Sequence, residues 1–173
     1  MIATNAKPFR LALLRHADAE WPLPNERDFD RRLSLFGETE ARSSGQFLQT
    51  FGLNPAATIT SPARRCIETV ALINEVTSLG SEPLPHAELY NSNADAYLNT
   101  ISQYIDQTSL LVAGHNPSLE ELLAKLIGAD KANATLPHGL PTSAIAIIDL
   151  PRIQDGLFYQ GNLIAFYAPS DAS

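Results

Sequence analysis

The chain has a single cysteine, Cys66, so no disulfide can close within it and no cysteine-rich metal site can be built. Long apolar runs are missing too. None approaches the roughly 20 residues that cross a bilayer, and Met1 to Lys7 lacks the apolar stretch of a secretion signal. Basic residues are outnumbered, with 12 Lys and Arg against 19 Asp and Glu, and the net charge of -7 argues against a general binder of nucleic acid or of an anionic membrane. Together these absences point to a cytoplasmic protein. What is present suits a packed core: 173 residues, 45% hydrophobic and 18% charged, the size of a single domain over residues 1–173. Cys66, beside Ile67 and Val70, reads as a small packing residue.

Strand-like apolar runs occur at Phe9 to Leu14, Thr58 to Thr60, Leu110 to Ala113, Ala144 to Leu150 and Leu163 to Tyr167. Most are short and almost wholly apolar, as strands covered on both faces are. Helical patterns lie between them at Glu38 to Phe51, Ala63 to Val76, Ala94 to Asp106 and Ser118 to Ile127, with Phe47, Leu48, Phe51, Leu122, Leu123 and Leu126 as core-facing positions. This alternation predicts an α/β fold, a three-layer α/β/α sandwich with a mostly parallel central sheet. The last two runs are joined only by the turn-rich segment from Arg152 to Gly161, which predicts one antiparallel edge strand. The segment Asp130 to Thr142, with Pro137, Gly139 and Pro141, reads as a long loop, either functional or a tolerated surface insertion.

Three strand-to-helix corners carry chemistry. The first run ends in Leu14-Arg15-His16-Ala17, an arginine fork beside an imidazole where ligands bind in open α/β sheets. The second run leads into Ser61-Pro62-Ala63-Arg64-Arg65, with Ser61 placed to cap a helix and Pro62 at its first position. A helix N-terminus there favours anions. Arg64 can pair with Glu68 along the helix, while Arg65 lies about 100° round it, and geometry alone does not choose which enters a pocket. At the third corner, Gly114-His115-Asn116-Pro117-Ser118, Asn116-Pro117 breaks the strand and Ser118 with Glu121 spells a capping box.

These motifs, in order, resemble the histidine phosphatase superfamily, and within it the short bacterial phosphohistidine phosphatases of the SixA type. The resemblance covers Phe9 to Tyr167 and includes Arg32-Leu33-Ser34-Leu35-Phe36-Gly37, Ser61 to Thr69, Gly114 to Glu120 and Pro141 to Ala146. Its register assigns Arg65 to the phosphate-binding position. Ala17 stands where much of the superfamily has glycine, and Cys66 and Glu68 replace the usual alanine and glutamine.

The resemblance implies that His16 is the nucleophile and becomes transiently phosphorylated. Arg15, Arg65 and His115 would bind phosphate with it, and no metal or other cofactor is implied. A general acid is least defined: Glu88, in His86-Ala87-Glu88-Leu89-Tyr90, stands near the family's donor position, with Asp18 a second candidate. Trp21 either walls the pocket or packs, and His86 and His138 read as surface loop residues. The implied substrates are a phosphorylated protein carrying phosphohistidine, in signalling phosphotransfer, or a small phosphorylated metabolite. A phosphoglycerate mutase fits less well in so short a chain. An idle phospholigand-binding module is the reading of a different class.

Overall fold

The computed structural model describes residues 7–152 and 160–169, so the far part of the turn-rich link after Arg152 and most of the N-terminal segment read above lie outside the described residues. Strand β1 (Phe9–Arg15) alternates its side chains between two cores. Leu11 and Leu13 point into one, Ala12 and Leu14 into the other, and all four are fully buried. Its neighbours are β2 (Ala57–Thr60), β3 (Leu84–Pro85), β4 (Ser109–Gly114), β5 (Ile145–Leu150) and β6 (Asn162–Tyr167), in the spatial order β3-β2-β4-β1-β5-β6. β1 runs parallel to β4, with Arg15 opposite Gly114, and β2 runs parallel to both β3 and β4. β5 alone is reversed. It lies antiparallel to β1 and to β6, so the antiparallel pairing expected at one edge is formed by the last two strands.

Helices cover both faces. Leu48 of α1 (Leu35–Phe51) and Val70 and Ile73 of α2 (Arg64–Val76) pack on Ala12 and Leu14. Tyr97 and Ile101 of α3 (Ala94–Ser102), Leu122 and Leu126 of α4 (Ser118–Ile127) and Ala132 of α5 (Ala129–Thr135) pack on Leu11 and Leu13. The chain after β1 therefore leads to one face and the chain after β4 to the other, although the two strands are neighbours. A crevice opens between their carboxyl ends, as it does wherever connections diverge in an open α/β sheet.

Several local expectations are corrected. The segment after Asp130 is helical as far as Thr135, and the loop proper begins at Leu136. α3 stops at Ser102, short of Asp106, and β3, too short to show as an apolar run, was not anticipated. Phe51 is exposed at the end of α1, while Phe47 stacks on Tyr167 of β6 at 4.6 Å between ring centroids. Among the described residues no helix is long and apolar enough to cross a membrane.

Candidate active site

The backbone of the first corner is held before any side chain acts. The His16 N–H donates to the Gly114 carbonyl (3.0 Å), the Ser143 N–H donates to the His16 carbonyl (3.1 Å), and the Ala17 N–H donates to Thr69 Oγ1 (3.0 Å). Gly37 lets the next turn close. A Cβ there would come within 2.0 Å of the Asp18 carbonyl oxygen, so only glycine allows α1 to start this close to the loop after His16. Ser34 caps α1 by accepting from the Gly37 N–H (2.9 Å) and also donates to Asp18 Oδ2. Glu40, buried on α1, accepts from the Asp18 N–H (2.8 Å) and from Thr142 Oγ1 (2.7 Å), and burial raises its pKa.

His16 Nδ1 lies 2.8 Å from the Ala17 carbonyl, which can only accept, so Nδ1 carries the proton and Nε2 is left bare. Burial, then the nearby charges of Arg65, Arg15 and Arg31, push the His16 pKa down to about 4, against the upward pull of the Ala17 carbonyl. The imidazole is therefore neutral near pH 7, with its free nitrogen facing Arg65 Nε at 3.3 Å.

His115 is set at the end of β4 by a buried tyrosine. Its N–H donates to Tyr97 Oη (3.1 Å), and Tyr97 Oη donates in turn to the Leu89 carbonyl (3.0 Å). Gly114 makes room, since a Cβ there would meet Tyr97 Oη at 2.1 Å. Arg65 NH2 approaches His115 Nδ1 at 3.3 Å and can only donate, so the proton sits on His115 Nε2, which donates to Ser61 Oγ (2.7 Å). Burial first, then the His16 and Arg65 charges, push the His115 pKa to about 3. The His16 and His115 rings meet edge to face, 5.2 Å between centroids.

Arg65, on the first turn of α2, is buried, and Arg64 pairs outside with Glu68 (2.6 Å). The structure thus answers the choice between the two arginines that helix geometry left open. Beyond the two histidines, Arg65 NH1 donates to the Asp28 carbonyl (2.7 Å) and NH2 to Asp28 Oδ2 (3.0 Å). Arg15 donates through NH1 to the Leu140 carbonyl (2.7 Å), its Nε is buried without a partner among the described residues, and burial lowers its pKa.

Arg15, His16, Arg65 and His115 line one cavity of about 450 Å³, together with Asp18, Glu20, Trp21, Arg31 and Asn116 among others. Glu88 is not brought to it. Its side chain is exposed on a single 3-10 turn (Ala87–Leu89), 3.9 Å from His86 Nδ1, while the next residue, Leu89, turns inward. Asp18 does reach the wall. Trp21 does not pack: it is 87% exposed at the rim. His138 is exposed as expected, whereas His86 is half-buried and bonds Tyr104 Oη (2.8 Å).

Both predicted helix caps are corrected. Ser61 Oγ serves His115 while Ala63 occupies the cap position of α2. Ser118 donates to the Ser92 carbonyl, leaving Pro117 at the start of α4 with no side-chain cap. Cys66 is buried, and burial raises its pKa to about 12, in keeping with a packing role, though its Sγ lies 3.5 Å from His115 Nε2. Among the described residues no three His, Cys, Asp or Glu side chains gather as a metal site. Reading the sequence missed Asp28, Arg31, Tyr90 and Tyr97. The alternating charges of Arg27-Asp28-Phe29-Asp30-Arg31 were the one visible sign, and Tyr97 gave none.

An arginine-histidine pair at the end of β1, answered by a second histidine at the end of β4 and an arginine from α2, is the arrangement of a phosphoryl-handling α/β protein. Residues 11–97 match the profile of the histidine phosphatase superfamily (branch 1), and the chain belongs to that family. A crystal structure from Agrobacterium tumefaciens, provisionally named a phosphohistidine phosphatase SixA, superposes with a TM-score of 0.85 at 35% identity, covering 95% of this chain and 100% of that one. An uncharacterised chloroplast protein of Arabidopsis thaliana is 33% identical over 130 residues, 69% of this chain and 60% of its own length. A 2,3-bisphosphoglycerate-dependent phosphoglycerate mutase of Streptomyces griseus is 40% identical over 70 residues, 39% of this chain and 28% of the mutase. The matched segments thus span less than two thirds of the length of these two curated relatives.

Proposed function

We propose that this chain is a phosphatase that carries the phosphoryl group on His16 Nε2, and that its substrate is phosphohistidine on a protein. The observation that carries the reading is the tautomer of His16: Nδ1–H is committed to the Ala17 carbonyl, so Nε2 is bare, neutral and aimed at the guanidinium of Arg65. In the first step Nε2 forms a bond to phosphorus as the P–N bond of the substrate breaks, and the departing imidazole takes a proton from water. In the second step water attacks phosphorus and Nε2 departs, releasing inorganic phosphate. Arg15 and Arg65 hold the equatorial oxygens and stabilise charge in a loose transition state. His115 donates to an oxygen once the incoming dianion has drawn a proton onto its Nδ1, since nearby negative charge raises an imidazole pKa.

The leaving group supports phosphohistidine. An alkoxide needs a proton as it departs, and Glu88 does not line the cavity. An imidazole joined through a labile P–N bond departs with less help. A small phosphomonoester is the second reading, favoured by Asp18 and Glu20, which do line the cavity and offer carboxyl groups. The test is turnover of a phosphohistidine protein, phosphoramidate and a panel of phosphomonoesters in EDTA, by wild type and His16→Ala. Phosphohistidine should be preferred and the variant inactive. Preference for an ester would establish the second reading, and no turnover of any substrate would leave the phospholigand-binding module.

A further inference from the structure

Arg65 presents two faces. A guanidinium has a side edge, Nε with NH2, and an end edge, NH1 with NH2, each able to take a pair of acceptors. The side edge points at His16 Nε2 and His115 Nδ1, both at 3.3 Å, the long limit for such bonds. Phosphoryl oxygens would readily replace those two weak contacts. The end edge is occupied by one residue, Asp28, through its carbonyl at 2.7 Å and its carboxylate at 3.0 Å.

Asp28 sits on a single 3-10 turn (Asp28–Asp30) in the strap between β1 and α1. Its carboxylate also accepts from Arg31 NH1 at Oδ1 (3.1 Å) and from Tyr90 Oη at Oδ2 (3.1 Å). Partial burial acts to raise the Asp28 pKa, but the bonds from Arg31 and Arg65 outweigh it and the net shift is downward. Tyr90 in turn lies edge-on to the His115 ring, 5.8 Å between centroids. The carboxylate thus ties the strap, α2 and the segment before α3 together around one guanidinium.

We propose that Asp28 is a positioning residue: by filling the end edge of Arg65 it fixes the guanidinium plane so that the side edge meets the phosphoryl oxygens beside His16. It does not line the cavity that holds His16. The opposite role, an anionic plug that competes with phosphate for Arg65, predicts an effect of opposite sign. The inference extends the phosphoryl-transfer reading of the site, but its first test is anion binding and needs no turnover.

The test uses the full chain with Asp28→Ala and Asp28→Asn, the second keeping an acceptor of the same shape. Orthovanadate affinity is measured by calorimetry, and kcat and KM with phosphoramidate, each also in an Arg65→Lys background. Loss of a charge-assisted anchor predicts vanadate binding weaker by about tenfold and a fall in kcat with little change in KM. Asp28→Asn should recover part of both, and Asp28→Ala should add nothing once Arg65 is lysine. Vanadate binding unchanged or tighter in both variants, or full loss added in the lysine background, would overturn the proposal. Failure of wild type to turn over phosphoramidate would count against the phosphatase reading alone, since vanadate binding still decides the role of Asp28.

Discussion

The floor of the site and the strap over it are held by different forces. The floor, His16 and His115, hangs from the ends of β1 and β4 by hydrogen bonds of its backbone to the Gly114 and Ser143 main chain and to the Tyr97 hydroxyl, next to fully buried residues. The strap from Ala19 to Leu33 is mostly exposed; its two ends pair with each other, and between them it is held by ionic contacts, Asp28 with the buried Arg65 and with Arg31, and Arg27 with Asp30 in the open. Solvent screens exposed pairs and leaves them little net worth, whereas a buried backbone hydrogen bond is costly to lose. The proposed nucleophile, His16, is therefore fixed by the fold itself. The Arg65 guanidinium is instead met at its end edge by Asp28, from the more exposed strap.

The contrast predicts a ranking of effects. His16→Ala should abolish turnover with only a modest fall in melting temperature, because above pH 6.5 the imidazole is neutral in both states and the variant loses only its packing and its bond to the Ala17 carbonyl. A stable variant that retained turnover would break the assignment of the floor. Second comes pH. The folded pKa of His16, about 4, lies below the ordinary value of 6.5, so the unfolded chain binds the proton more readily. The stability this gives is full above pH 6.5 and is lost as pH falls from there through about 4. His115, at about 3, extends the loss further down. For His16 alone the loss amounts to about 3 kcal/mol, read as the difference between wild type and His16→Gln in urea unfolding across that range. An unchanged difference would mean that the imidazole is not buried neutral.

Third is Tyr97→Phe, which strips the His115 N–H and the Leu89 carbonyl of their shared buried partner. It should cost about 1–3 kcal/mol of stability and lower kcat as His115 loosens, measured by thermal unfolding and steady-state kinetics. The smallest effect is expected on the strap, where Arg27→Ala removes the exposed bond to Asp30. Melting temperature and kcat should stay within experimental error. A clear loss of either would show that the exposed Arg27–Asp30 pair helps to hold the strap.

How far the sequence disclosed this division follows from what each region is made of. The floor was legible because strands buried on both faces leave continuous apolar runs, and Arg15, His16 and His115 stand where those runs stop. Arg65 needed the family register, since helix periodicity could not separate it from Arg64. The strap was not legible: its exposed charges have no period, and the partner of Asp28 lies 37 residues away on another element. Ser61 and Ser118 looked like caps because a local pattern satisfies a local rule. In the fold, more distant acceptors and donors, His115 and the Ser92 carbonyl, took their hydroxyls instead. Glu88 had a suitable place in the chain, but the 3-10 turn on which it lies sends Leu89 inward and the carboxylate out.

On the proposed reading His16 carries the phosphoryl group. Rapid quench of wild type with phosphorus-labelled phosphoramidate, followed by peptide mapping, tests it most directly. The expected result is a base-stable, acid-labile phosphoryl group on the peptide containing His16, formed at a rate no slower than turnover and absent in His16→Ala. Steady turnover with label on another residue, or undiminished turnover in His16→Ala, would contradict it.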